Sequence, residues 1–177
     1  MPPGHVAARG AALEEGLDPI VYLSSVTTMF PPRGPVFSVD DPVASLATDY
    51  GRSKAEIERW VRELQADGAP LVSVYPPGVY GPDDPGPSAT LKGLRDRVRF
   101  SYLMTTGGAG WVDVRDLARI LAACMEPDRG PRRYMAGGHF LGWAEEADLV
   151  EEILGRRVRR TPVPPPLVRA IGRAVDW

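Results

Sequence analysis

Two residues of this 177-residue chain have the types and spacing for proton transfer: Tyr50 and Lys54, in the segment YGRSK. Lysine is scarce in the chain, which has only Lys54 and Lys92 against nineteen arginines. Residues four apart share one face of a helix, so this spacing brings an ammonium beside a phenol. A neighbouring cation favours the phenolate and fits a tyrosine for general acid or base work. The chemistry also needs a hydroxyl to hold the substrate oxygen. Ser24 and Ser25, with Thr27 and Thr28 just beyond, close the apolar run upstream, and parallel sheets bind ligands at the carboxyl ends of their strands. Plain structural roles exist for the same residues. Lys54 can pack its stem inside and send its ammonium to water, and serines at a strand end can satisfy backbone groups.

The elements that must position these groups follow from hydrophobic periodicity and turn residues. IVYL predicts a buried strand at Ile20–Leu23, after a helix running from near Val6 to Gly16. A Pro/Gly-rich loop leads to a helix that starts at Thr48 or Asp49 and stops at Gly68, with Tyr50, Lys54, Ile57, Val61 and Leu64 as its core-facing stripe. LVSVY predicts a second buried strand, Leu71–Tyr75, adjacent and parallel to the first through a right-handed crossover. PPGVYGPDDPGPS reads as a long loop, and a helix runs from Ala89 to about Arg97. GWVDV is a short strand, Asp116 caps the helix LARILAACME, and Arg132–Ala136 is a further strand. A helix from about Trp143 to Leu154 ends at Gly155, and a last amphipathic helix spans Leu167 to about Val175. This alternation predicts an α/β class with a mostly parallel sheet, built as one domain over residues 1–177.

Composition narrows the function classes. A net charge of −2 and a pI near 5.7 supply no general attraction for nucleic acid or anionic lipid. No apolar run approaches membrane-spanning length. A single cysteine, Cys124, rules out an intramolecular disulfide and points to the cytoplasm. His5 and His139 have no metal-ligand spacing, so no metal is expected, and no G-x-S-x-G nucleophile elbow is present. Cys124 reads as a core residue, Asp116 as a cap with Arg115 its surface neighbour, GRRVRR as a solvated edge and GGHFLG as a turn.

VYLSSVTTMF, YGRSK, VSVYPPGVYGPDDP and GWVDVRDLA, in this order, resemble the extended and atypical short-chain dehydrogenase/reductase superfamily. The likeness is nearest to its NAD(P)-dependent epimerase/dehydratase and dihydroflavonol-reductase-like branches, and it covers about Ile20 to Thr161. It implies a partial Rossmann-like parallel sheet with helices and a small C-terminal substrate-binding region, interleaved from about residues 78 and 132 onward. It implies NAD or NADP as cofactor. Tyr50 would be the proton donor or acceptor at a substrate carbonyl or hydroxyl, and Lys54 would bond the nicotinamide ribose. Ser25 would steady the substrate oxygen. Aligned on the epimerase-like pattern, that position falls on Val26 and leaves Thr27 or Ser24. Tyr50, Lys54, Ser24, Pro77, Gly78 and Val79 would contact the cofactor. Tyr75 stands where the commoner pattern opens with Arg-Pro. The substrate would be a small molecule such as a sugar nucleotide, sterol or flavonoid-like compound, and the protein could form a homo-oligomer.

The superfamily's glycine-rich turn after its first strand has no counterpart here, and only about twenty residues precede the Ser24–Ser25 strand. The resemblance is therefore to the second half of a reductase, truncated at its N-terminus, with weak or no dinucleotide binding expected of these residues. A noncatalytic remnant acting as a binding or assembly module is the alternative.

Overall fold

β-branched and aromatic residues closed by small polar ones form β1 (Ile20–Leu23) and β2 (Leu71–Tyr75), with the boundaries that the sequence predicts. Between them runs α1 (Asp49–Ala66), whose N-cap Thr48 accepts the Gly51 N–H through its hydroxyl at 3.1 Å. The computed structural model describes residues 11–166 apart from 32, 33, 35, 45, 47, 85, 87 and 165. The start of the expected first helix and the amphipathic stretch Leu167–Val175 lie outside the described residues. The remaining elements are β3 (Gly78–Tyr80), α2 (Ala89–Arg99), β4 (Tyr102–Met104), β5 (Gly108–Asp113), α3 (Val114–Ala123), β6 (Arg132–Met135), β7 (His139–Gly142), α4 (Trp143–Leu154) and β8 (Arg160–Pro162).

The chain divides into two compact units, one of residues up to Pro77 with Arg115–Gly137, the other of Gly78–Val114 with the residues from Gly138 on. The first unit holds a three-stranded parallel sheet in the order β1-β2-β6, with Ile20 opposite Leu71 and Val74 opposite Tyr134. The central strand β2 is buried at all five positions, which is why LVSVY reads as a continuous apolar run rather than an alternation. Tyr22, Ile57, Val61 and Leu71 form the core between this sheet and α1, with Ile20, Trp60 and Leu64 packed at its margin.

The second unit carries β5 between β3, which is parallel to it, and β7, which is antiparallel. A separate parallel pair joins β4 to β8. Its core gathers Tyr102, Ala147 and Val158. Arg97 of α2 pairs with the buried Glu146 of α4 at 2.7 Å and lies 5.2 Å from the Trp143 ring centre. α4 stops where Gly155 takes up φ 62°, a left-handed geometry that a side chain would resist.

Several expectations need correction. PPGVYGPDDPGPS contains the strand β3, and GGHFLG contains β7 rather than a turn. Both are short and glycine-flanked, and both become strands only through pairing with β5 across distant sequence. β4 and β8 are likewise three-residue strands set by their partner alone. Asp116 is not a cap: the helix begins at Val114, directly after β5, and Asp116 sits in its first turn paired with Arg119 at 2.6 Å. Tyr50 is not in the buried stripe of α1. It is 56% exposed, although its neighbour Gly51 in the same turn is buried.

Candidate active site

The carboxyl end of β1 sets out two hydroxyls with different commitments. Ser24 is buried and its Oγ donates to Glu58 Oε2 at 2.7 Å. Ser25 caps the 3₁₀ turn Val26–Met29, where its Oγ accepts from Thr27 N at 3.3 Å and from Thr27 Oγ1 at 3.0 Å. A serine hydroxyl has two acceptor sites and one proton. With both acceptor sites of Ser25 occupied by Thr27, its proton is the part left to donate. Val26 opens this turn and donates its N–H to Pro76 O at 3.2 Å, which sets the end of β2 beside the serine pair.

On α1, the YG pair has a steric reason. A Cβ on Gly51 would lie 2.7 Å from Leu46 Cβ and 2.9 Å from Leu46 O, so only glycine lets the incoming chain cross the helix start this closely. That crossing leaves Tyr50 on the open side. Lys54 is half-buried; its Nζ donates to Leu23 O at 3.2 Å and sits 5.6 Å from the Tyr22 ring centre and 6.0 Å from that of Tyr50. Within the first unit, the structure thus places Lys54 at the end of β1, one residue before the serine pair, with the Tyr50 ring a turn away.

Sequence reasoning missed Glu58. It is fully buried, and beyond Ser24 it accepts from Tyr75 Oη at 2.6 Å and from Arg62 Nε at 2.9 Å, both on Oε1. Arg62 in turn donates to Asp41 O at 2.7 Å and Val39 O at 3.2 Å. A signal was available: Tyr50, Lys54, Glu58 and Arg62 follow one another at four-residue steps along a single ridge, and Glu58 with Arg62 is an i,i+4 ion pair in the favourable order. Tyr22, whose ring lies under the Lys54 ammonium, had no such signal.

Burial first, then the Glu58 carboxylate, pushes the Tyr75 phenol well above its ordinary value. Burial and Glu146 push Tyr102 in the second unit up to about 12. The folded state therefore keeps these protons where the unfolded chain releases them near pH 10. Their contribution is intact below about pH 10 and is lost as pH rises toward the folded values, at about 1.4 kcal/mol per pH unit for each tyrosine. Urea unfolding at pH 9, 10 and 11 is expected to show this decline, with a shallower slope in Tyr75→Phe.

The other residues singled out in the sequence take the following places. Cys124 is buried, and burial raises its thiol, which makes it a poor nucleophile. His139 is exposed on β7, opposite Trp111. Of the basic GRRVRR segment, Arg160 pairs with Asp148 at 2.6 Å and Glu151 at 2.9 Å. Pro77 is the last residue of the first unit, while Gly78 and Val79 open the second, paired with Trp111 and Val112. Among the described residues, no helix is long and apolar enough to cross a membrane.

The profile of the NAD dependent epimerase/dehydratase family matches residues 6–137, about three-quarters of the chain. No curated protein matches it in sequence. Among solved structures, the UDP-glucose-4-epimerase of Stenotrophomonas maltophila with bound NAD and formylated UDP-arabinopyranose is similar at a TM-score of 0.74 and 20% identity, covering 92% of this chain and 56% of that one. A nucleoside-diphosphate-sugar epimerase from Pseudomonas aeruginosa is similar at 0.73 and 23%, covering 94% and 56%. The UDP-glucose 4-epimerase of Thermus thermophilus in complex with NAD is similar at 0.66 and 24%, covering 88% and 54%. The chain thus spans a little over half the length of each of these structures, whose likeness is one of fold: mixed α/β with parallel strands, of the Rossmann-like epimerase type. With three-quarters of its residues under the family profile, this chain belongs to the NAD dependent epimerase/dehydratase family.

Proposed function

We propose that this chain carries the acid/base and nicotinamide-facing part of an NAD(P)-dependent oxidoreductase or epimerase acting on a carbonyl or hydroxyl. The observation that carries this is the Lys54 ammonium held at Leu23 O, at the end of β1, with the Tyr50 ring 6.0 Å from Nζ. The donor set fits a nicotinamide riboside: an ammonium for ribose hydroxyls, a serine proton for the substrate oxygen and an exposed phenol for proton exchange. The nicotinamide, when bound, takes up or returns the hydride. The phenol of Tyr50 gives or accepts the proton on the substrate oxygen, with the Lys54 ammonium 6.0 Å from its ring centre. Ser25 donates its remaining proton to the same oxygen, while Ser24 is committed to Glu58. The backbone carbonyl of Pro77, in the same unit, is a further expected cofactor contact. A sugar nucleotide is the substrate class favoured, because the structural neighbours above bind UDP-sugars or act on nucleoside-diphosphate sugars.

The described residues of this proposal address only the nicotinamide end of the dinucleotide. Reduced nicotinamide mononucleotide and NADH are therefore expected to bind with weak affinities within a few-fold of each other, and Lys54→Met should weaken both. Calorimetry checks this. Micromolar NADH binding, or binding indifferent to Lys54, would contradict it, and no nicotinamide binding at all would favour a noncatalytic binding module.

A further inference from the structure

Glu58 joins four segments that local sequence keeps apart. Its carboxylate accepts hydrogen bonds from Ser24 at the end of β1, from Tyr75 at the end of β2, and from Arg62, which also ties down the carbonyls of Val39 and Asp41. The side chain is wholly buried, so the charge is balanced by these donors and not by water. Glu58 lies one helical turn beyond Lys54 on the same ridge of α1. A helix packed on a sheet through apolar contacts alone can slide and rotate with little change in buried area. Short hydrogen bonds from two strand ends to one carboxylate allow a single helix position.

We propose that Glu58 is the positioning residue of the Tyr50–Lys54 face, fixing the rotation and register of α1 so that the Lys54 ammonium reaches Leu23 O, one residue before the serine pair. This rests on the proposed role of Tyr50 and Lys54, but it concerns where those groups are held and not what they react with. Glu58 touches neither substrate nor cofactor. It also sorts the two serines: by accepting the Ser24 hydrogen bond it commits that hydroxyl and leaves Ser25 as the donor.

The two lysines of the chain provide a direct probe. Protein labelled with ¹³C-lysine gives two ε-methylene signals, which Lys92→Arg assigns. The Lys54 signal is expected to be displaced from that of an exposed lysine by the rings of Tyr22 and Tyr50. Tyr50→Leu should shift it; if it does not, the Tyr50–Lys54 pairing fails, whatever Glu58 does. Glu58→Gln, nearly isosteric but uncharged, should halve the displacement or more while circular dichroism shows a folded chain. Ser24→Ala and Tyr75→Phe each remove one donor and keep the carboxylate. They should move the signal the same way by a smaller amount, which separates positioning from a direct charge effect. These two variants also carry the test if Glu58→Gln does not fold. A lower thermal midpoint with the Lys54 signal unmoved, in Glu58→Gln or in both donor variants, would reduce Glu58 to a stabilising residue and overturn the proposal.

Discussion

In the proposed reaction, replacing Tyr50 by Phe is expected to lower turnover about 10²–10⁴-fold, the usual range for loss of a positioned proton donor. The rate should be measured by nicotinamide absorbance at saturating cofactor, so that weak binding does not enter. The ring and its place beside Lys54 survive this change, and only the hydroxyl is lost, so cofactor affinity should stay within about twofold while the rate falls. Lys54→Met should behave differently, weakening cofactor binding and rate together, because the ammonium serves both ribose and phenol in the proposed site. Ser24→Ala should leave the chemical step far less affected than Ser25→Ala, since the Ser24 hydroxyl already donates to Glu58. A rate in Tyr50→Phe close to the wild-type value would remove the phenol from the chemistry.

Glu58→Ala is expected to cost about 3–5 kcal/mol of folding stability, since removing one partner of a buried ion pair leaves the other charge without compensation. Arg62 would keep its bonds to the carbonyls of Asp41 and Val39 but lose its carboxylate, and the hydroxyls of Ser24 and Tyr75 would face a cavity. Pairing Glu58→Leu with Arg62→Met should recover part of this loss, because apolar replacement of a whole buried pair is often neutral or stabilising. Urea unfolding of the wild type, Glu58→Leu, Arg62→Met and the double variant distinguishes the cases. Additive losses in the double variant would mean that the two side chains contribute independently and that the pair is not the unit of stabilisation.

How much of this was legible in the sequence depended on the range of the interaction. β1, β2, α1 and α4 carry their own signals: continuous apolar runs, a Thr48 cap, a Gly155 stop. The order of four loose motifs identified the family from the same local information. Glu58 was invisible as a hub because its donors Ser24 and Tyr75 lie 34 and 17 residues away. Ser24 and Ser25 are neighbours of identical type, and only their partners separate them: Ser24 donates to the Glu58 carboxylate, whereas Ser25 accepts from Thr27. Tyr50 fitted the helical stripe by spacing yet is exposed, because periodicity reports the face of a helix and not what covers each position along it. β3, β4, β7 and β8 are three or four residues long and owe their conformation to partners elsewhere in the chain.

The most direct test of the nicotinamide-facing site is to add nicotinamide mononucleotide to ¹³C-lysine-labelled protein and follow the two lysine ε signals. The expected result is a saturable shift of the Lys54 signal with Lys92 unmoved, diminished in Ser25→Ala and altered in Tyr50→Phe. A Lys54 signal that stays fixed at saturating nucleotide, or that moves only as Lys92 does, would contradict the site proposed at the end of β1.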